Sequence, residues 1–242
     1  MSVKFEARLE REKLDAMKEL AYGASHEINN PLANISARAQ DLLRDEEHPE
    51  RRRALEAIRQ QAVRAHEMIS DLMLFARPPA LDLQTVDLSA LLNEISESVS
   101  AECERRKVRL LLQLPDTAVF VTGDAQQLSV AVTAVCRNAL EAIGTSGTIE
   151  ILLRELTQPP NGAQPPNGIA IEVTDTGAAM TAEVRRHLFD PFFSGREAGR
   201  GLGFGMSKCW RIVTDHGGTI VVHSEPEEGT TISLQLPVEI KG

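Results

Sequence analysis

Arg137-Asn138-Ala139-Leu140-Glu141-Ala142 is followed by Asp175-Thr176-Gly177 and then by Gly199-Arg200-Gly201-Leu202-Gly203. The order and spacing of these three segments carry more information than any one of them. The first sits in an apolar series at 125–143 that predicts a helix with Asn138 and Glu141 in its last two turns. The second ends a strand-like run, so that Asp175 opens a turn in which Gly177 allows the backbone to approach a neighbour closely. In the third, four glycines within seven residues (Gly199, Gly201, Gly203, Gly205) lead into a helix expected over 202–216, the arrangement that offers backbone amides to phosphate. Together they outline a pocket with side-chain oxygens on one wall and main-chain N–H groups on another.

The rest of that half alternates between two periods. Strands are predicted at 108–114, 119–122, 148–156, 169–174, 219–224 and 231–238, and further helices at 88–103 and 182–188. Mixed elements with hairpin-like connections predict an α+β sandwich, one sheet covered on one face by helices. Gln158-Pro159-Pro160-Asn161-Gly162 recurs as Gln164-Pro165-Pro166-Asn167-Gly168 and predicts an exposed loop between neighbouring strands; a docking motif is the alternative. Gly217-Gly218 is expected to cap the helix before it, and Trp210 to face the core.

Upstream the pattern differs. Leu14, Met17, Ala21, Ala24, Ile28, Ile35 and Leu42 step along a helix, and Leu55, Ile58, Ala62, Ala65, Ile69, Leu72 and Ala76 along a second. Asp45-Glu46-Glu47-His48-Pro49-Glu50 interrupts them, with Pro49 suited to a first helical turn. Arg77-Pro78-Pro79 ends the second helix, and a linker runs to about Val86. One hairpin leaves a side of each apolar stripe wet, so pairing of two hairpins into a dimeric four-helix bundle is expected. The expected domains are residues 1–80 and 81–242.

Composition limits the possibilities. The 242 residues are 42% hydrophobic and 25% charged, and no apolar run approaches the ~18 residues of a membrane span. Residues 1–80 carry 13 Lys and Arg against 14 Asp and Glu (net −1), and 81–242 carry 13 against 21 (net −8). The acidic second half argues against a nucleic-acid surface. Cys103, Cys136 and Cys209 lack metal-ligand or CxxC spacing and read as reduced thiols that pack as small apolar groups.

Ser25-His26-Glu27-Ile28-Asn29-Asn30-Pro31-Leu32, taken with the three pocket segments and Phe189-Asp190-Pro191-Phe192-Phe193, resembles the catalytic core of sensor histidine kinases of two-component systems. The resemblance covers residues 10–238 and implies a phosphoacceptor hairpin followed by an ATP-binding domain of the gyrase, Hsp90 and MutL type. It implies that His26 takes the γ-phosphoryl group of ATP and passes it to an aspartate on a response-regulator receiver domain. A neutral imidazole is a good nucleophile near pH 7. By the same resemblance Glu27 accepts or orients the imidazole proton and Asn30 positions the water of a phosphatase reaction. Asn138 ligates Mg2+, with Glu141 auxiliary; Asp175 accepts from the adenine amino group beside Gly177. Phe189 belongs to the phenylalanine-rich box, Gly199, Gly201, Leu202 and Gly203 cradle phosphate, and Arg196 and Arg200 meet its γ-phosphate.

The expected partners are therefore a second copy, a response regulator and an upstream sensory domain outside this chain. The location implied is cytoplasmic, with any membrane anchor in a missing N-terminal part. Two departures stand out: Ala134 where many relatives carry an asparagine, and Ala179 where the family places a second glycine. They motivate an alternative, a dimeric scaffold that binds nucleotide without transferring phosphate. An ATP-hydrolysing clamp is a further alternative. His48, His66, His187, His216 and His223 lack motif context and read as structural or solvated.

Overall fold

The computed structural model describes residues 27–76, 78–157, 167–191, 193 and 203–238, and divides the chain into two compact units, Met1–Pro79 and Ala80–Gly242. In the first unit, α1 (27–45) and α2 (Pro49–Ala76) form an antiparallel hairpin around a three-residue turn. Pro49 opens α2, where a missing N–H costs nothing. Arg52 secures the turn, its Nη1 donating to the Leu43 carbonyl at 3.1 Å and to Glu46 O at 3.4 Å. At the other end Asn29 Oδ1 and His66 Nδ1 meet at 3.1 Å. Ala39, Leu43 and Ala62 are buried between the helices, whereas Ile28, Ile35, Leu42 and Ile58 are 40–62% exposed. The heptad stripe thus remains on the outside of the single hairpin.

The second unit is one helical layer on one sheet. Its elements run β1 (Gln84–Asp87), α3 (Leu88–Arg106), β2 (Val108–Gln113), β3 (Phe120–Gly123), α4 (Ala125–Ile143), β4 (Gly147–Thr157), β5 (Asn167–Asp175), α5 (Ala182–His187), α6 (Gly205–Asp215), β6 (Thr219–Glu225) and β7 (Gly229–Pro237). The main sheet has the order β2-β4-β5-β7-β6; only its β2–β4 pair is parallel, since the chain crosses through β3 and α4 between them. Alternation along the strands decides the faces. Ile149, Ile151 and Leu153 of β4 lie in register with Asp175, Val173 and Ile171 of β5, and Ile232 and Leu234 of β7 continue the row. These are buried under α3, α4 and α6. The opposite face is polar, crossed by the Arg154–Glu172 ion pair and a Thr174–Thr231 hydroxyl pair at 2.9 Å.

Four expectations need correction. The linker to Val86 ends in a strand: β1 pairs antiparallel with β3 as a separate two-stranded sheet, and Asp87 then caps α3 by accepting the N–H groups of Ser89 and Ala90. Asn167 and Gly168, expected in the loop, belong to β5, and 158–166 lie outside the described residues. α6 starts at Gly205, because Gly203 has φ +68 and Phe204 takes the N-cap position. Trp210 is 40% exposed, since the buried stripe of α6 is Met206, Ser207, Cys209, Ile212 and Val213 and Trp210 falls outside it. Gly217 caps α6 as expected, with φ +72 and its N–H on Thr214 O. The three cysteines are buried and free, and burial raises the Cys136 thiol to about 12.

Asp124 ties three segments together. Its Oδ1 accepts the Gln127 N–H at 3.0 Å, capping α4, and its Oδ2 accepts the N–H of Asp82, at the start of the unit, at 3.1 Å. Its own N–H donates to Nε2 of the buried His216 at 3.0 Å, while His216 Nδ1 meets the Ile212 carbonyl at 2.8 Å. That geometry sets the tautomer, with the proton on Nδ1. Burial alone would raise the Asp124 pKa, but the N–H donors of Gln127 and Asp82 outweigh it and hold the carboxyl below its ordinary range. The stability it contributes is present above its unfolded pKa and is lost as pH falls through the lower folded value. Asp124→Ala should cost about 1–3 kcal/mol in urea unfolding at pH 7. The difference from wild type should shrink as the buffer is acidified; a loss independent of pH would mean the charge is not what stabilises the cap.

Candidate nucleotide and phosphoacceptor sites

Asp175 closes β5 at an inward-facing position that in every neighbouring strand holds an apolar or hydroxyl side chain. It is 2% exposed, and the Gly177 N–H donates to its Oδ1 at 2.8 Å. Burial pushes its pKa up to about 6, with the Gly177 amide opposing the shift. A buried carboxyl with one protein donor and raised affinity for a proton is a group held ready for an external donor.

Two glycines allow close main-chain packing around this turn. A Cβ on Gly177 would stand 2.6 Å from the Ala142 carbonyl carbon and 2.7 Å from the Ile143 N, so the Asp-Thr-Gly turn presses directly on the last turn of α4. A Cβ on Gly229 (φ +82) would stand 1.9 Å from Asp175 O. Thr176 locks the turn to β4, its N–H donating to Thr148 O at 3.1 Å and its Oγ1 accepting the Thr148 N–H at 2.9 Å. Further along, the Met180 N–H donates to Ser224 Oγ at 2.8 Å, and Ser224 Oγ meets Thr230 Oγ1 at 2.8 Å. Thr230 is the register partner of Asp175. Sequence reasoning passed over Ser224, Gly229 and Thr230. The available signal was two hydroxyls at inward positions of strands whose other inward residues are aliphatic.

Asn138 and Glu141 lie on α4, one helical turn and one residue before Ala142, half-buried and exposed respectively. The contact at Gly177 therefore brings Asp175, Gly177 and the Asn138-bearing end of α4 together. Ala134 and Ala179 are half-buried. α5 is capped by Thr181 Oγ1, which accepts the Val184 N–H at 3.2 Å, and leads to half-buried Phe189; His187 meets Asp190 at 2.6 Å and stacks at a tilt on Phe193, 5.3 Å between centroids. Gly203 opens the described stretch that leads into α6. Arg196, Gly199, Arg200, Gly201 and Leu202 lie outside the described residues, as does His26. Glu27 and Asn30 are exposed on α1.

The architecture is thus a helix-covered mixed sheet with a buried aspartate beside a glycine turn, joined in sequence to a helical hairpin. The profile of the His Kinase A (phospho-acceptor) domain matches residues 16–81, and that of the histidine kinase-, DNA gyrase B- and HSP90-like ATPases matches 123–240. Sensor histidine kinase ZraS of Escherichia coli strain K12 is 34% identical over 231 residues, 95% of this chain and 47% of that protein. Sporulation kinase D of Bacillus subtilis is 30% identical over 95% of this chain and 43% of its own length. Full-length ShkA, crystallised with AMPPNP, shares the fold with a TM-score of 0.75 at 21% identity, covering 93% of this chain and 46% of that one. The chain carries both of these domains, in the order of a sensor histidine kinase catalytic core. It spans about half the length of the curated relatives it matches.

The titration of Asp175 is directly measurable. Its carboxyl resonance should have a midpoint of about 6 in the nucleotide-free protein. The raised pKa means the charged form costs stability above that midpoint, a cost that disappears as pH falls towards the ordinary carboxylate value. Asp175→Asn is thus expected to stabilise the fold at pH 7 by on the order of 1 kcal/mol. A midpoint near the ordinary carboxylate value, or a destabilised variant, would contradict this.

Proposed function

We propose that this chain is an ATP:protein-histidine phosphotransferase, in which residues 81–242 bind ATP and residues 1–80 present His26 to its γ-phosphate. The observation that carries the reading is the buried Asp175, raised in pKa and wedged by Gly177 against the end of α4. Its free acceptor capacity suits the exocyclic amine of adenine, which GTP lacks at that position. Asn138 supplies a neutral oxygen one turn before that contact, and Glu141 a second oxygen. Both suit Mg2+, a hard cation that takes few protein ligands and keeps phosphate and water for the rest. When bound, the cation would neutralise charge on the phosphates during transfer.

The reaction we assign runs in one step on histidine and one on aspartate. A neutral His26 nitrogen attacks the γ-phosphorus, the N–P bond forms as the bond to the β-phosphate oxygen breaks, and ADP leaves. Glu27, next in sequence and exposed, takes the imidazole proton. Arg196 and Arg200 offset charge on the transferring group, and the amides of Gly199, Gly201, Leu202 and Gly203 hold the phosphates. The phosphoryl group then passes to an aspartate on a receiver domain; a solved relative, ThkA, was crystallised with the response regulator TrrA (TM-score 0.66, 20% identity, 97% of this chain and 66% of that one). Asn30, exposed on α1, is assigned to orient the water that hydrolyses the receiver's aspartyl phosphate, releasing inorganic phosphate. We assign the core to the cytoplasm, where ATP is available; among the described residues no helix is long and apolar enough to cross a membrane.

The uncovered stripe Ile28, Ile35, Leu42 and Ile58 supports a homodimer, in which a second hairpin would bury it. Ile35→Glu combined with Leu42→Glu should convert a dimer to a monomer in light scattering at micromolar concentration. An unchanged dimer mass would place the interface elsewhere. Incubation with radiolabelled Mg-ATP should give an acid-labile, alkali-stable label on wild type. His26→Gln should give none while retaining nucleotide, and Asn138→Ala should lose label at least a hundredfold, the scale of an electrostatic transition-state contact. Label persisting on His26→Gln would move the acceptor to another residue.

A further inference from the structure

We infer that Arg106 is a positioning residue for the nucleotide site: from α3 it holds the last turn of α4 where the Asp175 turn requires it. This rests on the nucleotide-binding reading above. Arg106 ends α3, and Lys107 follows as its left-handed C-cap (φ +57). Its Nη1 donates to the Leu140 carbonyl at 3.1 Å, and its Nε is held by Glu102 Oε1 at 2.5 Å, one helical turn back. Its own carbonyl accepts the Ser146 N–H at 3.0 Å, so one residue grips the α4–β4 turn from both sides.

The contact point matters. Leu140 lies between Asn138 and Glu141, and its carbonyl already accepts the Gly144 N–H at 3.1 Å. α4 carries no basic residue in its own last turn, so the cation at its negative end comes from α3. The same turn supplies Ala142 and Ile143, against which Gly177 packs with no room for a methyl group. A shift of a few tenths of an ångström at this end would move Asn138 relative to Asp175, because the joint between them is main chain on main chain. The Glu102 pairing fixes the direction of the guanidinium, which leaves Arg106 few other conformations.

A clip that serves folding alone would lower the melting temperature and leave nucleotide recognition intact, which separates the two roles. Arg106→Met and Arg106→Lys, in the full chain, are to be compared with wild type by thermal melting, by equilibrium binding of ATP and GTP, and by the rate of His26 labelling at saturating Mg-ATP. Positioning predicts that Arg106→Met binds ATP about tenfold more weakly and discriminates less against GTP. Labelling at saturation should change less than affinity, and Arg106→Lys, which keeps one donor for Leu140 O, should recover most of the loss. Unchanged affinity and selectivity in a folded but less stable Arg106→Met protein would overturn the inference. Wild type that binds no ATP would instead defeat the underlying nucleotide reading, and the role of Arg106 with it.

Discussion

Between the Asp175 turn and the end of α4 there is no space for a single carbon atom. A methyl group on Gly177 would lie 2.6 Å from the Ala142 carbonyl carbon, well inside contact distance. The separation of these segments is therefore set by backbone against backbone, which does not relax by changing rotamers. Asn138 and Glu141 hang from one side of that joint and Asp175 from the other. Gly229 repeats the device against the Asp175 main-chain carbonyl, so the backbone of this turn is approached closely at two glycines. The locks at Thr148, Thr176, Ser224 and Thr230 then act on a turn whose position is already fixed.

Two buried aspartates in this unit illustrate opposite uses of burial. Asp124 is 7% exposed, yet its pKa is lowered, since the donors that surround it outweigh desolvation. Asp175 is 2% exposed and has one protein donor, so desolvation dominates and its pKa rises to about 6. The first arrangement is that of a structural cap, complete in itself. The second leaves a carboxylate oxygen under-supplied, at a cost to stability, and such a cost is retained where a ligand completes the set. The two sites are joined by α4, with the satisfied carboxylate at its beginning and the unsatisfied one packed against its end.

Much of this was legible from residue pattern. α4 has the predicted limits, and the strands of the main sheet agree within two residues, because aliphatic alternation in strands with one covered face is a strong signal. The failures have two causes, a strand partner distant in sequence and a local feature overlooked in the pattern. β1 is four residues long and exists through pairing with β3. The start of α6 was displaced by the positive φ of Gly203, and Trp210 was assigned to the core by residue type although the α6 stripe excludes it. Asp175 and Gly177 could be named from the sequence because their motif is contiguous. Ser224 and Thr230 left only the weak trace of hydroxyls among aliphatic inward positions, since they meet across a turn, and Arg106 left none, its target being a main-chain carbonyl 34 residues away. The roles of Arg196 and Arg200 lie beyond the described residues.

The two units meet opposite physical demands. Recognition of a base requires rigid, desolvated groups, and the second unit has a buried carboxylate, Asp175, on a covered sheet beside a clamped helix. A residue that takes a phosphoryl group from ATP and gives it to another protein, the role proposed for His26, must instead be reachable from outside, and the helix that follows it in sequence is exposed at Glu27 and Asn30. The hairpin cannot afford a thick cover of its own. Among its described residues two alanines and one leucine are buried between the helices, too little apolar surface to order helices of this length. Covering Ile28, Ile35, Leu42 and Ile58 would add roughly 1.5–3 kcal/mol for each side chain fully removed from water. A second hairpin that covered these four side chains would supply the apolar burial that the single hairpin lacks, which is the physical reason to expect association.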